Sequence, residues 1–235
     1  MPVAQVTNGM PAEPNHVYVI PPNANMSINK GIFQLEARLA HPMPIDRFFR
    51  SLAEDQGSKA IGVILSGTAS DGTLGLKAIK AEGGITFAQD ERTAKYDGMP
   101  RSAIMAGCVD FILPPEGIAR ELVRLCQHPY VAPPRSGEDA ASECDPQFTQ
   151  IFNMLRNTTG VDFVYYKHAT IRRRILRRMA LHKLDRVEQY LEYLRQQPNE
   201  LNALFHDIWI NVTSLCATSL CAAAPAAVPA PSTRA

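Results

Sequence analysis

Short apolar runs alternate with amphipathic stretches from residue 15 to residue 128 of this 235-residue chain. A short apolar run is typical of a buried strand, and an apolar face that recurs with the helical period is typical of a helix. Strands separated by helices pair in parallel, because a parallel pair needs a long crossover connection. The alternation therefore predicts an α/β unit over residues 1–128, built on a doubly wound, mainly parallel sheet.

The same pattern places the elements of this unit. Strands are predicted at residues 17–20, 60–65, 85–88 and 109–113. Helices are predicted at residues 45–54, 71–81, 101–106 and 116–126. Residues 26–37 are predicted to form a hairpin that turns at Asn29, Lys30 and Gly31, since asparagine and glycine favour tight turns.

Composition separates a second, smaller part of the chain. Residues 129–144 are rich in proline and in small or acidic residues and lack periodicity, so they are predicted to form an exposed linker. Residues 145–214 repeat apolar residues at helical spacing, which predicts a small all-α domain. Asp185 and Glu188 are predicted to form a capping box within it. Residues 215–235 are mostly alanine and proline and are predicted to be a disordered tail.

The bulk chemistry excludes several classes of function. The formal net charge is +1, so the chain as a whole has no charge-driven affinity for nucleic acid or for an acidic membrane surface. The five cysteines show no short paired spacing of the kind a zinc site needs, and no metal site is predicted. No segment is apolar for long enough to span a bilayer. We expect a cytoplasmic protein without membrane insertion.

A run of arginines gives the second domain one strongly basic helix. In residues 169–183 the apolar side chains recur four apart, while Arg173 with Arg177 and Arg174 with Arg178 line another face. From the residues alone, the face is either simply solvated or a surface for nucleic acid. The nucleic-acid interpretation is the weaker one, because no exposed aromatic side chains alternate with the arginines to stack on bases. No nucleic-acid partner is predicted.

Three sequence blocks in the first unit point to a known family. They are ILSGTASDGTLGL at residues 64–76, ITFAQD at residues 85–90 and GMPR at residues 98–101. In this order they resemble the C-terminal half of the chemotaxis protein-glutamate methylesterase domain. The resemblance implies hydrolysis of methyl esters on receptor glutamates, with Asp71 as the acidic member of a Ser–His–Asp triad. From the residues alone, Asp71 is also open to a role as the N-cap of the following helix.

The nucleophilic serine and the histidine of that family are expected before the strand at residues 17–20. Residues 1–16 contain neither motif, so the chain is expected to begin inside the methylesterase domain with an incomplete sheet. Ser66 and Ser70 flank Asp71, but neither lies in a nucleophile-elbow sequence. We expect no ester hydrolysis by the chain alone, because loss of the serine or histidine of a triad costs on the order of a million-fold in rate.

The second domain resembles the N-terminal helical domain of the chemotaxis receptor methyltransferase. The markers are TGVDF at residues 159–163, YKHATIRRR at residues 166–174 and INVTS at residues 210–214. The resemblance implies that the basic helix contacts the cytoplasmic helices of methyl-accepting chemotaxis receptors. These helices display glutamates, and arginine guanidinium groups bind carboxylates well. The receptor-binding residues it implies are Arg173, Arg174, Arg177 and Arg178.

The same resemblance implies that Asn211 and Thr213 belong to a turn that touches S-adenosylmethionine in the intact methyltransferase. The sequence after Ser214 departs from the family and turns into alanine and proline, so the cofactor's own domain is expected to be absent and no cofactor is predicted for this chain. The two resemblances together predict a fragment of a fused enzyme that modifies chemotaxis receptors. The alternative is a non-catalytic module that binds receptors through the basic helix.

Overall fold

The computed structural model describes residues 1–37, 43–131, 146–161 and 168–208. Its contacts divide the chain into two compact units, Met1–Arg135 and Ser136–Ala235, at a point inside the predicted linker. The predicted tail and the predicted cofactor residues Asn211 and Thr213 lie outside the described residues. Each unit is described by itself below.

The first unit contains parallel strands and one hairpin. The three strands of its main sheet are parallel and follow one another in chain order, as the alternation predicts. A short parallel pair and the antiparallel hairpin form sheets of their own. The strands are β1 Val3–Gln5 and β2 Val17–Val19 in the pair, β3 Ala24–Asn29 and β4 Ile32–Ala37 in the hairpin, and β5 Ile61–Ile64, β6 Ile85–Gln89 and β7 Phe111–Leu113 in the main sheet.

Helices alternate with these strands: α1 Pro44–Gln56, α2 Thr73–Ala81, α3 Gly98–Met105 and α4 Pro115–Gln127. Helix α2 begins two residues later than predicted, because Gly72 before it has a φ of 92° and still belongs to the turn. Helix α3 begins three residues earlier than predicted and includes Pro100 in its first turn, where proline is well tolerated. Strand β1 was not predicted, since its three residues are too short a run to stand out.

The hairpin is fixed by its turn and by helix α1. Lys30 and Gly31 both have positive φ, 51° and 72°, as a two-residue type I′ hairpin turn requires. The Gly31 N–H donates to the carboxylate of Asp55 in α1. The buried face of the hairpin packs against Phe48 and Leu52 of the same helix. The predicted turn is therefore confirmed, and α1 lies over the hairpin.

Helix α1 also lies close against α2. A Cβ atom on Gly75 of α2 would come within 2.4 Å of the Cβ atom of Phe49, so only glycine permits this approach. Below the two helices, Ile64 of β5 and Leu76 of α2 are fully buried in one core cluster. The close packing brings the first turns of α1 and α2 together at the carboxyl end of β5.

The second unit is helical in its described part. Its helices are α5 Pro146–Thr159, α6 His168–Leu181, α7 Val187–Gln196 and α8 at residues 198–208. Their shared core includes Ile151, Ile175, Tyr190 and Leu204, each fully buried. Within the described ranges, none of the helices of the chain has both the length and the apolar character needed to cross a membrane.

The predicted capping box at the start of α7 is wrong. The N-cap residue is Arg186, one position after Asp185, and it makes no side-chain capping bond. The Glu188 carboxylate accepts a hydrogen bond from the side-chain amide of Gln147 on α5 instead. Glu188 therefore links α7 to α5.

Candidate functional site

Asp71 lies in the turn that joins β5 to α2, at the carboxyl end of the strand. Ligands of open α/β sheets bind at this edge. Ala69 and Gly72 give the turn its tight path, since both have φ in the left-handed region, 68° and 92°. The side chain of Asp71 is half-buried.

The Asp71 carboxylate binds the start of α1 and not the start of α2. Its Oδ2 accepts a hydrogen bond from the Ile45 N–H at 3.1 Å, and its Oδ1 accepts one from the Asp46 N–H at 3.0 Å. The first turn of a helix has no internal partners for such N–H groups, and the helix dipole favours negative charge there. Gly72 occupies the N-cap position of α2 without a side-chain bond. The alternative role of Asp71 as the N-cap of the following helix is therefore wrong, because it caps the neighbouring helix.

Asp46 makes the arrangement reciprocal. Its side chain is 4% exposed, and its Oδ1 accepts a hydrogen bond of 2.7 Å from the Gly75 N–H in the first turn of α2. Asp46 of α1 thus binds the first turn of α2, and Asp71, which precedes α2, binds the first turn of α1. The orientation of Asp71 is fixed by the packing of α1 against α2. Sequence reasoning missed Asp46, because no local motif connects it with Asp71.

Acceptor capacity remains on the Asp71 carboxylate. Each ionised carboxylate oxygen carries two lone pairs, and each of the two backbone N–H groups uses one. An imidazole N–H can therefore still bind, as it does in a triad. In the described part of the chain no histidine or serine side chain hydrogen-bonds to Asp71. The His16 ring contacts the carbonyl of Pro14, and the Ser66 Oγ accepts a bond from the Tyr96 N–H.

The four arginines predicted to bind a receptor have different surroundings on α6. Arg173 is exposed and Arg174 is half-buried. Arg177 is 2% exposed, and its Nη1 lies 3.3 Å from Asp207 Oδ2 on α8. Nη1 of Arg178 lies 3.6 Å from the same Asp207 oxygen. Arg177 and Arg178 thus form ion pairs with a carboxylate of the helical unit itself. Receptor contact by any of the four stays a prediction.

Glu200 on α8 is the centre of this internal ion network. Its Oε1 accepts hydrogen bonds from Arg178 Nε at 2.8 Å and from the Tyr190 hydroxyl at 2.9 Å. His182 Nε2 lies 2.8 Å from its Oε2, and the Glu200 side chain is only 6% exposed. The network ties α6, α7 and α8 together. This network was not predicted from the sequence. Its signal in the sequence is the spacing of Glu200 and Asp207, which places two carboxylates about two helical turns apart on α8.

The Glu200 network makes the helical unit sensitive to acid. Burial by itself raises the pKa of the Glu200 carboxyl, but the hydrogen bonds and charges of His182 and Arg178 outweigh it and lower the pKa from 4.5 to about 2. A lowered pKa stabilises the folded state above pH 4.5, and this contribution is lost as the pH falls towards 2. We expect a loss of up to about 3 kcal/mol over that range.

Urea unfolding at pH 5, 4, 3 and 2, followed by the fluorescence of Trp209, the single tryptophan and part of the second unit, measures this loss. The Glu200→Gln variant is the control, because it cannot titrate at this position. An acid dependence as steep in Glu200→Gln as in the original chain would contradict the assignment.

Comparison with known proteins gives a separate match for each unit. Residues 1–122, more than half of the chain, match the family model described as CheB methylesterase. The chain belongs to this family. Residues 146–209 match the family model described as the all-alpha domain of CheR methyltransferase. The methylesterase unit is therefore joined to a methyltransferase helical domain, which confirms both resemblances and the family to which the sequence pointed. Both domains belong to enzymes that modify chemotaxis receptors.

Curated relatives match one or both units. An uncharacterized 104.1 kDa protein of Rhodobacter capsulatus is 36% identical over 91% of the chain, and the match covers 25% of that protein. A putative protein-glutamate methylesterase/protein-glutamine glutaminase of Leptospira interrogans is 45% identical over 116 residues, which are 48% of the chain and 60% of the relative. Protein-glutamate methylesterase/protein-glutamine glutaminase 1 of Carboxydothermus hydrogenoformans is 42% identical over 118 residues, and the chain spans 35% of it. The chain thus spans between a quarter and three-fifths of these relatives.

A solved structure is also similar to the first unit. The catalytic domain of the CheB methylesterase of Thermotoga maritima is 30% identical, with a TM-score of 0.47. The match covers 52% of this chain and 68% of that domain.

Among the described residues, no group of three or more histidine, cysteine, aspartate or glutamate side chains is arranged to hold a metal ion. Asn211 and Thr213, predicted to touch S-adenosylmethionine in the intact methyltransferase, lie outside those residues. Their cofactor role and the expected lack of a cofactor in this chain stay predictions.

Proposed function

We propose that the methylesterase unit supplies Asp71 as the acidic member of a Ser–His–Asp triad, and that the helical domain contacts the cytoplasmic helices of chemotaxis receptors. One observation carries the first part. Two N–H groups of α1 fix the Asp71 carboxylate at the carboxyl end of β5, and each oxygen keeps a free lone pair. This is the geometry that an orienting carboxylate needs.

In the proposed reaction Asp71 accepts the second N–H of a histidine. The carboxylate thereby sets the tautomer of the ring and stabilises the imidazolium that forms when the histidine takes the proton of a serine hydroxyl. The serine oxygen attacks the carbonyl of a receptor glutamyl methyl ester, and methanol leaves with the proton returned by the histidine. Water then releases the free glutamate by the reverse sequence of proton transfers.

The 235 residues by themselves are expected not to hydrolyse the ester. No serine or histidine side chain of the described part hydrogen-bonds to Asp71, and a triad carboxylate orients a histidine rather than attacking a carbonyl. Methanol release from a methylated receptor fragment should equal the rate in buffer, and Asp71→Asn should not change it. Release above the buffer rate that disappears in Asp71→Asn would show a triad within the chain itself.

Support for the receptor contact comes from the exposed part of α6. Arg173 is exposed. The guanidinium of its neighbour Arg172 lies over the Phe148 ring, 4.8 Å from the ring centre, and this contact holds a second positive charge on α6. Arg177 and Arg178 already bind carboxylates inside the helical domain. The receptor's glutamates are therefore proposed to meet the Arg173 side of the helix. If Asp71 has no catalytic role, this contact alone describes the alternative function, a non-catalytic receptor-binding module.

Reversing the charge of Arg173 should weaken receptor binding. We expect Arg173→Glu to raise the dissociation constant for a receptor cytoplasmic fragment about fivefold at low salt, with a smaller effect at high salt, since exposed ion pairs contribute about 1 kcal/mol and are screened. Arg195→Glu on α7 is the control, because Arg195 is similarly exposed and pairs with Glu192. Equal affinities of the original and the Arg173→Glu chains, measured by calorimetry, would exclude this surface.

A further inference from the structure

A polar groove of about 510 Å³ lies between helix α1, strand β3 and the first turn of α2. Its volume is in the range of about 300 to 1,000 Å³ that is usual for sites of small molecules. Apart from Met43 and Leu74, every described residue that lines it is polar or charged. Asp71 does not line this groove. The groove is therefore a separate feature of the first unit.

Two buried side chains at the groove have an oxygen without a hydrogen-bond partner. Asn25 and Asp46 both line the groove, and each is only 4% exposed. Within the described residues, Asn25 Oδ1 and Asp46 Oδ2 receive no hydrogen bond. The other Asp46 oxygen, Oδ1, already accepts the bond from the Gly75 N–H. Nearly all buried polar atoms of native proteins are paired, so the two oxygens indicate a donor that the chain itself does not supply.

Both acceptors are held in place by contacts that lie outside the groove. Alternate residues of a strand face opposite sides. Met26 and Ile28 of β3 belong to the apolar core, and Asn25 therefore faces the groove together with Ser27. Asp46 is fixed by its bond to the first turn of α2. A donor that enters the groove meets acceptors that are already ordered, which lowers the entropy cost of binding.

Charged groups of both signs border the groove. Arg50 is exposed and lies one helical turn after Asp46 on α1, and the exposed Glu54 follows one turn later. Arg47 is partly engaged, since its guanidinium forms an ion pair with Glu36 of β4. Guanidinium groups beside the carboxylates disfavour a metal ion, because like charges repel. The lining instead suits a ligand with a cationic donor and an anionic group close together.

We propose that this groove binds a zwitterionic α-amino acid. The ammonium group of the ligand donates to Asp46 Oδ2 and Asn25 Oδ1, and its carboxylate pairs with the Arg50 guanidinium. Side chains one turn apart on a helix have β-carbons about 5 to 6 Å from each other, so the two charged groups of one amino acid fit between Asp46 and Arg50. The site is independent of the proposed role of Asp71.

The probe is each standard α-amino acid in turn, titrated by calorimetry into the 235-residue chain at neutral pH. We expect at least one of them to bind with a dissociation constant below about 1 mM. The N-acetyl and carboxamide derivatives of that amino acid should each bind more weakly by about tenfold or more, because each lacks one of the two charges.

Two variants locate the site. Asp46→Asn keeps an oxygen for the Gly75 N–H but loses the charge and the free acceptor, and Arg50→Gln removes a guanidinium at an exposed position. Each should raise the dissociation constant by about tenfold or more. Arg92→Gln is the control and should leave it unchanged, since Arg92 is 90% exposed and lies outside the groove. Circular dichroism checks that each variant is folded.

Three results overturn the proposal. The first is that no amino acid binds, which leaves ordered water as the partner of the two oxygens. The second is that Arg50→Gln and a folded Asp46→Asn bind as the original chain does, and the third is that the N-acetyl derivative binds as tightly as the free amino acid. Arg50→Gln alone decides the second point if Asp46→Asn does not fold. Binding is read without methanol release, so a failure of the role of Asp71 would leave this site intact.

Discussion

Replacing Glu200 with alanine is expected to destabilise the helical unit by about 3 to 5 kcal/mol, because it removes one partner of a buried ion pair. The variant leaves the Arg178 guanidinium without its main partner and the buried Tyr190 hydroxyl without an acceptor. An uncompensated charge inside a protein costs more than the original pair contributes. The effect is large compared with the total stability of a small domain.

The free energy of unfolding in urea, followed by Trp209 fluorescence at pH 7, measures this change. Glu192→Ala is the matched control, since Glu192 on α7 is 60% exposed and its ion pair with Arg195 spans 3.7 Å. We expect the control to lie within about 0.5 kcal/mol of the original chain. If Glu200→Ala costs no more than Glu192→Ala, the internal network does not stabilise the unit.

Much of the first unit could be predicted from the sequence because its signals are local. The runs that form β5 and β7 are apolar without interruption, and β6 is buried along its whole length although it contains Thr86 and Gln89. The hairpin turn could be predicted at Lys30 and Gly31, because the positive φ of these two residues is set by the two-residue turn and does not depend on distant contacts. The same is true of Asp71, which the turn after β5 places at the carboxyl edge of the sheet.

The contacts of Asp71 could not be predicted, because its partners depend on how two helices pack. Capping rules describe a helix and the residues next to it in sequence. Here the donors are the N–H groups of Ile45 and Asp46 on α1, which reach Asp71 only because Gly75 lets α1 and α2 lie close together. Asp46 has no sequence signature for the same reason.

The arginines of α6 illustrate a similar limit. Helical spacing correctly groups Arg173 with Arg177 and Arg174 with Arg178, but it does not say what each face meets. A charged helix face is normally solvated. Here Arg177 is buried and Arg178 is half-buried, because they form ion pairs with Asp207 and Glu200 on α8. Charge patterns on two helices must therefore be compared before a basic face is assigned to a partner.

The largest expected effect on activity is that of Asp71→Asn in a complete methylesterase domain. An asparagine at the acid position of a triad reverses the hydrogen-bonding preference of the histidine, and kcat falls on the order of ten-thousand-fold. The fold should persist, because the asparagine carbonyl can still accept a bond from the first turn of α1. The loss thus separates catalysis from capping, whereas Asp71→Ala would remove both.

A chimera shows whether Asp71 is the acidic member of a methylesterase triad. Residues 1–122 of this chain, which match the methylesterase family model, replace the corresponding part of the Leptospira interrogans relative, and methanol release from a methylated receptor fragment is measured. Asp55→Asn is the control, since Asp55 of α1 also accepts a hydrogen bond from a backbone N–H, that of Gly31 in the hairpin turn. We predict an active chimera, an Asp55→Asn variant with nearly full activity, and an Asp71→Asn variant slower by about ten-thousand-fold. An inactive chimera, or a folded Asp71→Asn variant within tenfold of the original rate, would contradict the claim.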